Sequence, residues 1–252
     1  MIRLIRAEIR KLLSTKLWWG MLLGAVAFSS LGVVAQIASN GAPGNPQPAL
    51  SAASTQQQIL ASAVGGYIFS LVVGVILVTS EFRHFTSRPT FLIEPRRGRV
   101  IVSKLLVALG LGALYGIVCV GVAVGIAVLW LNAKGVTILW SQAELTRILL
   151  GAIAAVAIFA VVGVGIGVLL RNQIAAVMVS LAYLLIVEPL LRIIPGVKEV
   201  YEYFPGAAAS AITAARAGTK VLEPWQGGLL LLGYGMLFAI LGWVLTLRRD
   251  IP

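Results

Sequence analysis

The chain has 252 residues, 59% hydrophobic and 12% charged, with a net charge of +11. A soluble domain carries about 25% charged residues; half that share cannot cover a water-exposed surface, and the mean hydropathy of +0.97 points to the bilayer as solvent. Apolar blocks too long for strands, with no recurring alternation over about ten residues, exclude an outer-membrane barrel and leave helices, which satisfy every backbone group internally.

Residues 1–16 read as an amphipathic helix. Ile2, Ile5, Ile9, Leu12 and Leu13 follow helical spacing, and Arg3, Arg6 and Arg10 lie off that stripe. Such a helix lies in the membrane interface, with its basic residues, Lys11 included, toward anionic lipid headgroups. A purely topogenic basic patch is the alternative.

Six spans follow, at 17–37, 59–79, 105–131, 148–170, 174–194 and 227–247. A helix of about 21 residues rises about 31 Å, matching a hydrocarbon core of about 30 Å. The first run exceeds the apolar core of a cleaved signal peptide, so it reads as an uncleaved anchor. Only Arg171-Asn172-Gln173 separates spans four and five, which predicts a tight helical hairpin. Glycine pairs four apart (Gly20/Gly24, Gly112/Gly116, Gly121/Gly125, Gly163/Gly167) suggest helix-packing seams. Cys119, the single cysteine, lies in an apolar run as a small hydrophobe.

The segment 80–104 is the most informative loop. It opens on Ser80-Glu81-Phe82-Arg83-His84. Thr86 or Ser87 caps a short helix with Pro89 in its first turn, and Glu94-Pro95 ends it. Phe91, Leu92 and Ile93 place apolar surface among charges, as a protein docking site does or as a helix dipping into lipid would. Arg96, Arg97 and Arg99 belong at headgroup level.

Glu188 and Arg192 stand four apart near the end of span five, where they form either a structural pair or a candidate outer gate. The loop 195–226 contributes Tyr201, Tyr203, Phe204 and Trp225 to an aromatic belt, and 206–217 reads as a short helix dipping into the outer leaflet.

Fourteen of the twenty Lys and Arg residues fall on the side of the N-terminal segment and the 80–104 loop, and six on the other. The positive-inside rule therefore predicts cytoplasmic N- and C-termini. The same rule accounts for the basic charge without nucleic acid. His84 is the only histidine. No HExxH, Cys/His cluster, GxSxG or GxxxxGK[ST] occurs, so neither a catalytic set, a metal site nor a nucleotide-binding loop of the chain's own is expected.

Taken together, these features resemble the membrane subunit of type-2 ABC exporters, particularly the actinobacterial permeases. The resemblance is carried by the Arg-rich stripe leading into Lys16-Leu17-Trp18-Trp19, by Glu81-Phe82-Arg83-His84 followed by Thr90, and by Pro95-Arg96-Arg97-Gly98-Arg99-Val100 with Lys104-Leu105-Leu106. Pro89 departs from it, standing where relatives often run Gly-Thr. The resemblance implies an all-α integral membrane protein, a single permease domain over 1–252, in the bacterial plasma membrane. It implies a coupling helix in the 80–104 loop, with Glu81, Phe82, Arg83, His84, Phe91, Leu92 and Ile93 against a separate ABC ATPase. Two ATPase copies would hold Mg-ATP, no cofactor would sit on this chain, and a second permease copy, identical or related, would complete the pathway in contact with membrane lipids. A drug-like or otherwise amphiphilic cargo fits the apolar spans, so multidrug efflux is one expectation. The rival readings are a secondary transporter, a membrane-embedded enzyme and a non-transporting anchor or signalling subunit.

Overall fold

A computed structural model describes residues 1–41, 48–84, 96–140, 144–194, 196–197, 200–213 and 222–247. Among these the chain is all-α, with six helices long and apolar enough to cross a membrane. The N-terminal helix α1 (Ile2–Leu13) leads into α2 (Leu17–Ser39). The second span stacks α3 (Ala53–Ala61), a tighter turn at Ser62–Gly66 and α4 (Tyr67–Arg83). Next come α5 (Arg97–Ala133), α6 (Leu145–Leu170) and α7 (Gln173–Ala182), the last continuing through a widened turn at Tyr183–Val187 into α8 (Glu188–Leu191). After α9 (Pro205–Ile212), α10 (Pro224–Leu247) closes the bundle.

The spans expected from hydropathy all recur, with shifted ends. The third extends furthest at one end. Its helix begins at Arg97 and runs 37 residues, about 55 Å, well beyond a hydrocarbon core of about 30 Å. Residues 97–104, expected in the loop, are thus its first two turns. Charge ends the hydropathy signal there, but Arg and Lys are good helix formers.

The hairpin between α6 and α7 is as tight as its spacing predicts. Arg171 takes the left-handed conformation, φ 53°, and the Asn172 side chain accepts the Ala175 N–H at 3.1 Å. The widened turn at 183–187 precedes Pro189, which lacks an N–H and crowds the carbonyl four residues back; a π-type turn absorbs that misfit.

The central helix is α6, packed against α4, α5 and α10. Its contact with α4 depends on small residues. A Cβ added to Gly163 would strike the Leu71 carbonyl oxygen, and one added to Gly74 would strike that of Ala160. Beside them the buried Ser70 hydroxyl donates to the Val156 carbonyl at 2.8 Å. Of the expected glycine seams, Gly112 and Gly116 pack on α6, Gly163 and Gly167 on α4, and Gly24 on Phe69, while Gly20, Gly121 and Gly125 have nothing within 4 Å.

At the end of the bundle opposite α1, Gln56 is a buried staple. Its amide donates to the Leu50 and Thr137 carbonyls at 3.2 and 2.9 Å and accepts the Leu139 N–H at 2.8 Å. Two connecting segments are thereby held on the mouth of the bundle.

Candidate functional site

Helix α1 has three faces. Ile5 and Leu12 pack with Phe82, Ile101 and Leu105 against the bundle. Ile2, Ile9 and Leu13 are exposed, as are Arg3, Arg6 and Arg10. An apolar flank beside a basic face is the geometry of a helix lying in a membrane interface.

The inward face carries one acid. Glu8 is the only acidic residue among the first 80, and it is 4% exposed. Its Oε2 accepts from Lys104 Nζ at 2.6 Å, and its Oε1 accepts from Lys11 Nζ at 2.9 Å. Lys104, 3% exposed, comes from α5 and also pairs with Glu81 Oε1 of α4 at 2.9 Å. Lys11 reaches the same Glu81 oxygen at 2.7 Å. Lys104 further donates to the Leu77 carbonyl at 3.3 Å. Two carboxylates and two ammonium groups form a neutral ring that ties α1, α4 and α5 together. Desolvating such charges costs several kcal/mol each, and only a closed arrangement with every charge countered offsets that. Burial pushes the Lys11 ammonium down, but its hydrogen bonds and charge contacts with Glu81 and Glu8 outweigh this and hold its pKa above the usual lysine value.

Around this ring the other sequence-predicted residues divide. Phe82 is half-buried in the apolar layer. Arg83 is exposed, with Nη1 at 3.4 Å from Gln173 Oε1, and His84 is exposed at the end of α4. Arg96 and Arg99 are exposed at the start of α5. Arg97 opens that helix. Phe91, Leu92 and Ile93 lie outside the described residues. Glu81 has its carboxylate turned into the ring, 7% exposed, and Lys11 shares that carboxylate as well as standing beside the basic face.

Sequence reasoning missed Glu8 and took Lys104 only as part of a motif. A signal existed: a lone acid on the apolar stripe between Ile5 and Leu12.

At the opposite end Glu188 is 2% exposed. Its Oε1 accepts the Ala207 N–H at 3.0 Å, so the carboxylate sits on the N-terminus of α9, where the helix dipole favours it. Gly206 permits this seat, since a Cβ there would lie 2.6 Å from Glu188 Oε1. No ion pair joins Glu188 to Arg192 among the described residues. Both line a cavity of about 520 Å³ beneath α9. Helix α9, expected over 206–217, runs Pro205–Ile212 and packs on α6 and α10; 214–217 lie outside the described residues.

A bundle of six helices long and apolar enough to cross a membrane defines a multi-pass membrane protein. The family model for ABC-2 family transporter proteins matches residues 4–187, and the chain belongs to that family. No curated protein matches the chain. The family match covers the charged ring entirely and stops one residue short of Glu188.

Proposed function

We propose that this chain is the membrane subunit of an ATP-driven exporter, working with separate ATPase subunits. The observation that carries the reading is the ring of Glu8, Lys11, Glu81 and Lys104, buried at every member but Lys11. The loop 85–95 joins α4 to α5, and the ring ties the last turn of α4 and the first turns of α5 to α1. A force on that loop therefore reaches two spans and the interfacial helix as one body. Elements that must transmit a stroke need this rigidity, because packed bodies shift between discrete arrangements rather than deform.

On this reading the ring end faces the cytoplasm, where the positive-inside rule puts the basic residues. Two ATPases with their Mg-ATP dock there on Phe91, Leu92 and Ile93, with Arg83 and His84 exposed beside them. The exposed basic face of α1, with Arg96, Arg97 and Arg99, meets anionic headgroups. The bundle interior is filled by Tyr115, Phe159, Leu71 and Val75, all fully buried. That packing favours a pathway between two permease copies, identical or related, over one through a single copy.

The test is reconstitution. The chain is affinity-purified from its own cells, the co-purifying ATPase is identified, and both are placed in proteoliposomes. ATP-dependent solute movement out of the cytoplasm-equivalent compartment is expected. Solute movement driven by an ion gradient without any ATPase would assign a secondary transporter instead. A bound ATPase whose hydrolysis moves no solute would assign a signalling subunit.

A further inference from the structure

We propose that the cavity beneath α9 binds a neutral, hydroxyl-rich head group, that of a glycoside or polyol amphiphile. The cavity measures about 520 Å³ and is lined by Gln36, Gln58, Tyr67, Glu188, Arg192 and Tyr201 among others. That volume falls within the range of small-molecule sites.

Its depth matters. Tyr67 opens α4, whose 17 residues rise about 25 Å to the ring end. Glu188 stands a similar distance, about 22 Å, above the start of α7. Both therefore lie within the span of a hydrocarbon core of about 30 Å. Polar groups at that depth require water or a polar ligand.

The lining chemistry selects the ligand. The carboxamides of Gln36 and Gln58, on α2 and α3, make no hydrogen bond among the described residues. Each presents two donors and one acceptor oxygen. Among the described lining residues one carboxylate and one guanidinium occur, and Glu188 already accepts the Ala207 N–H, so these residues give no excess of either charge to select an ammonium or a carboxylate head. Tyr67 and Tyr201 add ring surface beside these planar polar groups. A head carrying several hydroxyls both donates and accepts, and its C–H faces suit the rings. Toward the membrane centre the lining turns apolar at Leu184, which suits the first carbons of a tail.

The assignment rests on the exporter reading only for the ligand's fate as cargo; the binding stands on the cavity. The full chain in phosphatidylcholine nanodiscs is titrated with radiolabelled octyl β-D-glucoside below its micellar concentration. Octylamine and octanoate, with the same chain length and a charged head, serve as competitors. Saturable glucoside binding is expected, displaced poorly by either competitor. Gln36→Leu and Gln58→Leu should each weaken it about tenfold, the loss of one or two hydrogen bonds. Absent saturable glucoside binding, binding unchanged in both variants, or tighter binding of either charged analogue overturns the proposal; the last needs only the wild-type protein. Glucoside binding with no ATP-dependent movement of any solute would sink the exporter reading and leave the site. ATP-driven movement without glucoside binding would do the reverse.

Discussion

Lys104 of α5 and Glu8 of α1, 96 residues apart in sequence, form a 2.6 Å ion pair with neither side chain more than 5% exposed. The pair is the innermost link of the ring, and its burial sets what its loss costs. Lys104→Met leaves two carboxylates buried with Lys11 as their only counter-charge among the described residues. Removing one partner of a buried pair costs about 3–5 kcal/mol, so thermal unfolding in detergent should move sharply down. Glu8→Leu combined with Lys104→Met removes both charges and should recover most of that loss. Strictly additive losses in the double-mutant cycle would show that the two groups do not act on each other.

Lys11 should behave differently, because its side chain is 46% exposed. Water already reaches the ammonium that Lys11→Met removes, and Lys104 still pairs with both carboxylates, so the cost should be well below that of Lys104→Met. Its folded-state pKa is raised above the unfolded one. The stability it contributes is therefore fully present below the ordinary lysine value and is lost only as pH rises through the higher folded value. The difference in unfolding temperature between wild type and Lys11→Met should stay flat from neutral pH to about pH 10 and shrink above that. A difference that vanishes near neutrality would contradict the assignment.

The spans were legible because hydropathy alone marks a segment long enough to cross a bilayer, and the 170–173 hairpin because no other geometry fits so few residues. The ring was not. Glu8 declares itself only when α4 and α5 bring Glu81 and Lys104 to it, and no local pattern encodes that meeting. Hydropathy likewise stops at the charges before Lys104, although the helix continues to Arg97. Glu188 was singled out, but its carboxylate accepts a backbone N–H 19 residues away, at the start of a helix whose placement depends on α6 and α10.

The α4–α6 crossing gives a paired test of packing. Gly163→Ala places a methyl group against the Leu71 carbonyl, on backbone that cannot swing aside. Overpacking of this kind costs about 1–3 kcal/mol. Gly121→Ala, with nothing within 4 Å, should leave stability unchanged or slightly raised, since alanine favours the helix. Equal unfolding temperatures for the two variants would refute the close crossing.

Topology can be read by labelling. Ser14, after α1, and Ser51, at the opposite end, are both exposed. In a background with Cys119 replaced by serine, Ser14→Cys should react with an impermeant maleimide only after the cells are opened, and Ser51→Cys in intact cells. Labelling of both from one side would overturn the alternating path, and a reversed pattern would overturn the cytoplasmic placement of the ring.

Docking and transmission should separate into different variants. Phe91 and Leu92 are expected to contact the ATPase, and burying one such side chain is worth about 1.5–3 kcal/mol. Phe91→Ala with Leu92→Ala should therefore weaken ATPase association about 10²-fold, seen as loss of the partner on purification. The ring lies within the chain and should not govern that affinity. On the exporter reading its task is to make α1, α4 and α5 move together. Exchanging the charges, Glu8→Lys with Lys104→Glu, retains a pair at the same place. Either single change puts like charges together in a buried site. Each single variant should keep its ATPase but lose transport coupled to hydrolysis, and the exchange should restore part of that coupling. If the single variants instead shed the ATPase as the Phe91 and Leu92 variant does, the ring is part of the docking surface. If they transport at wild-type rates while remaining folded, it is a structural clamp with no part in coupling.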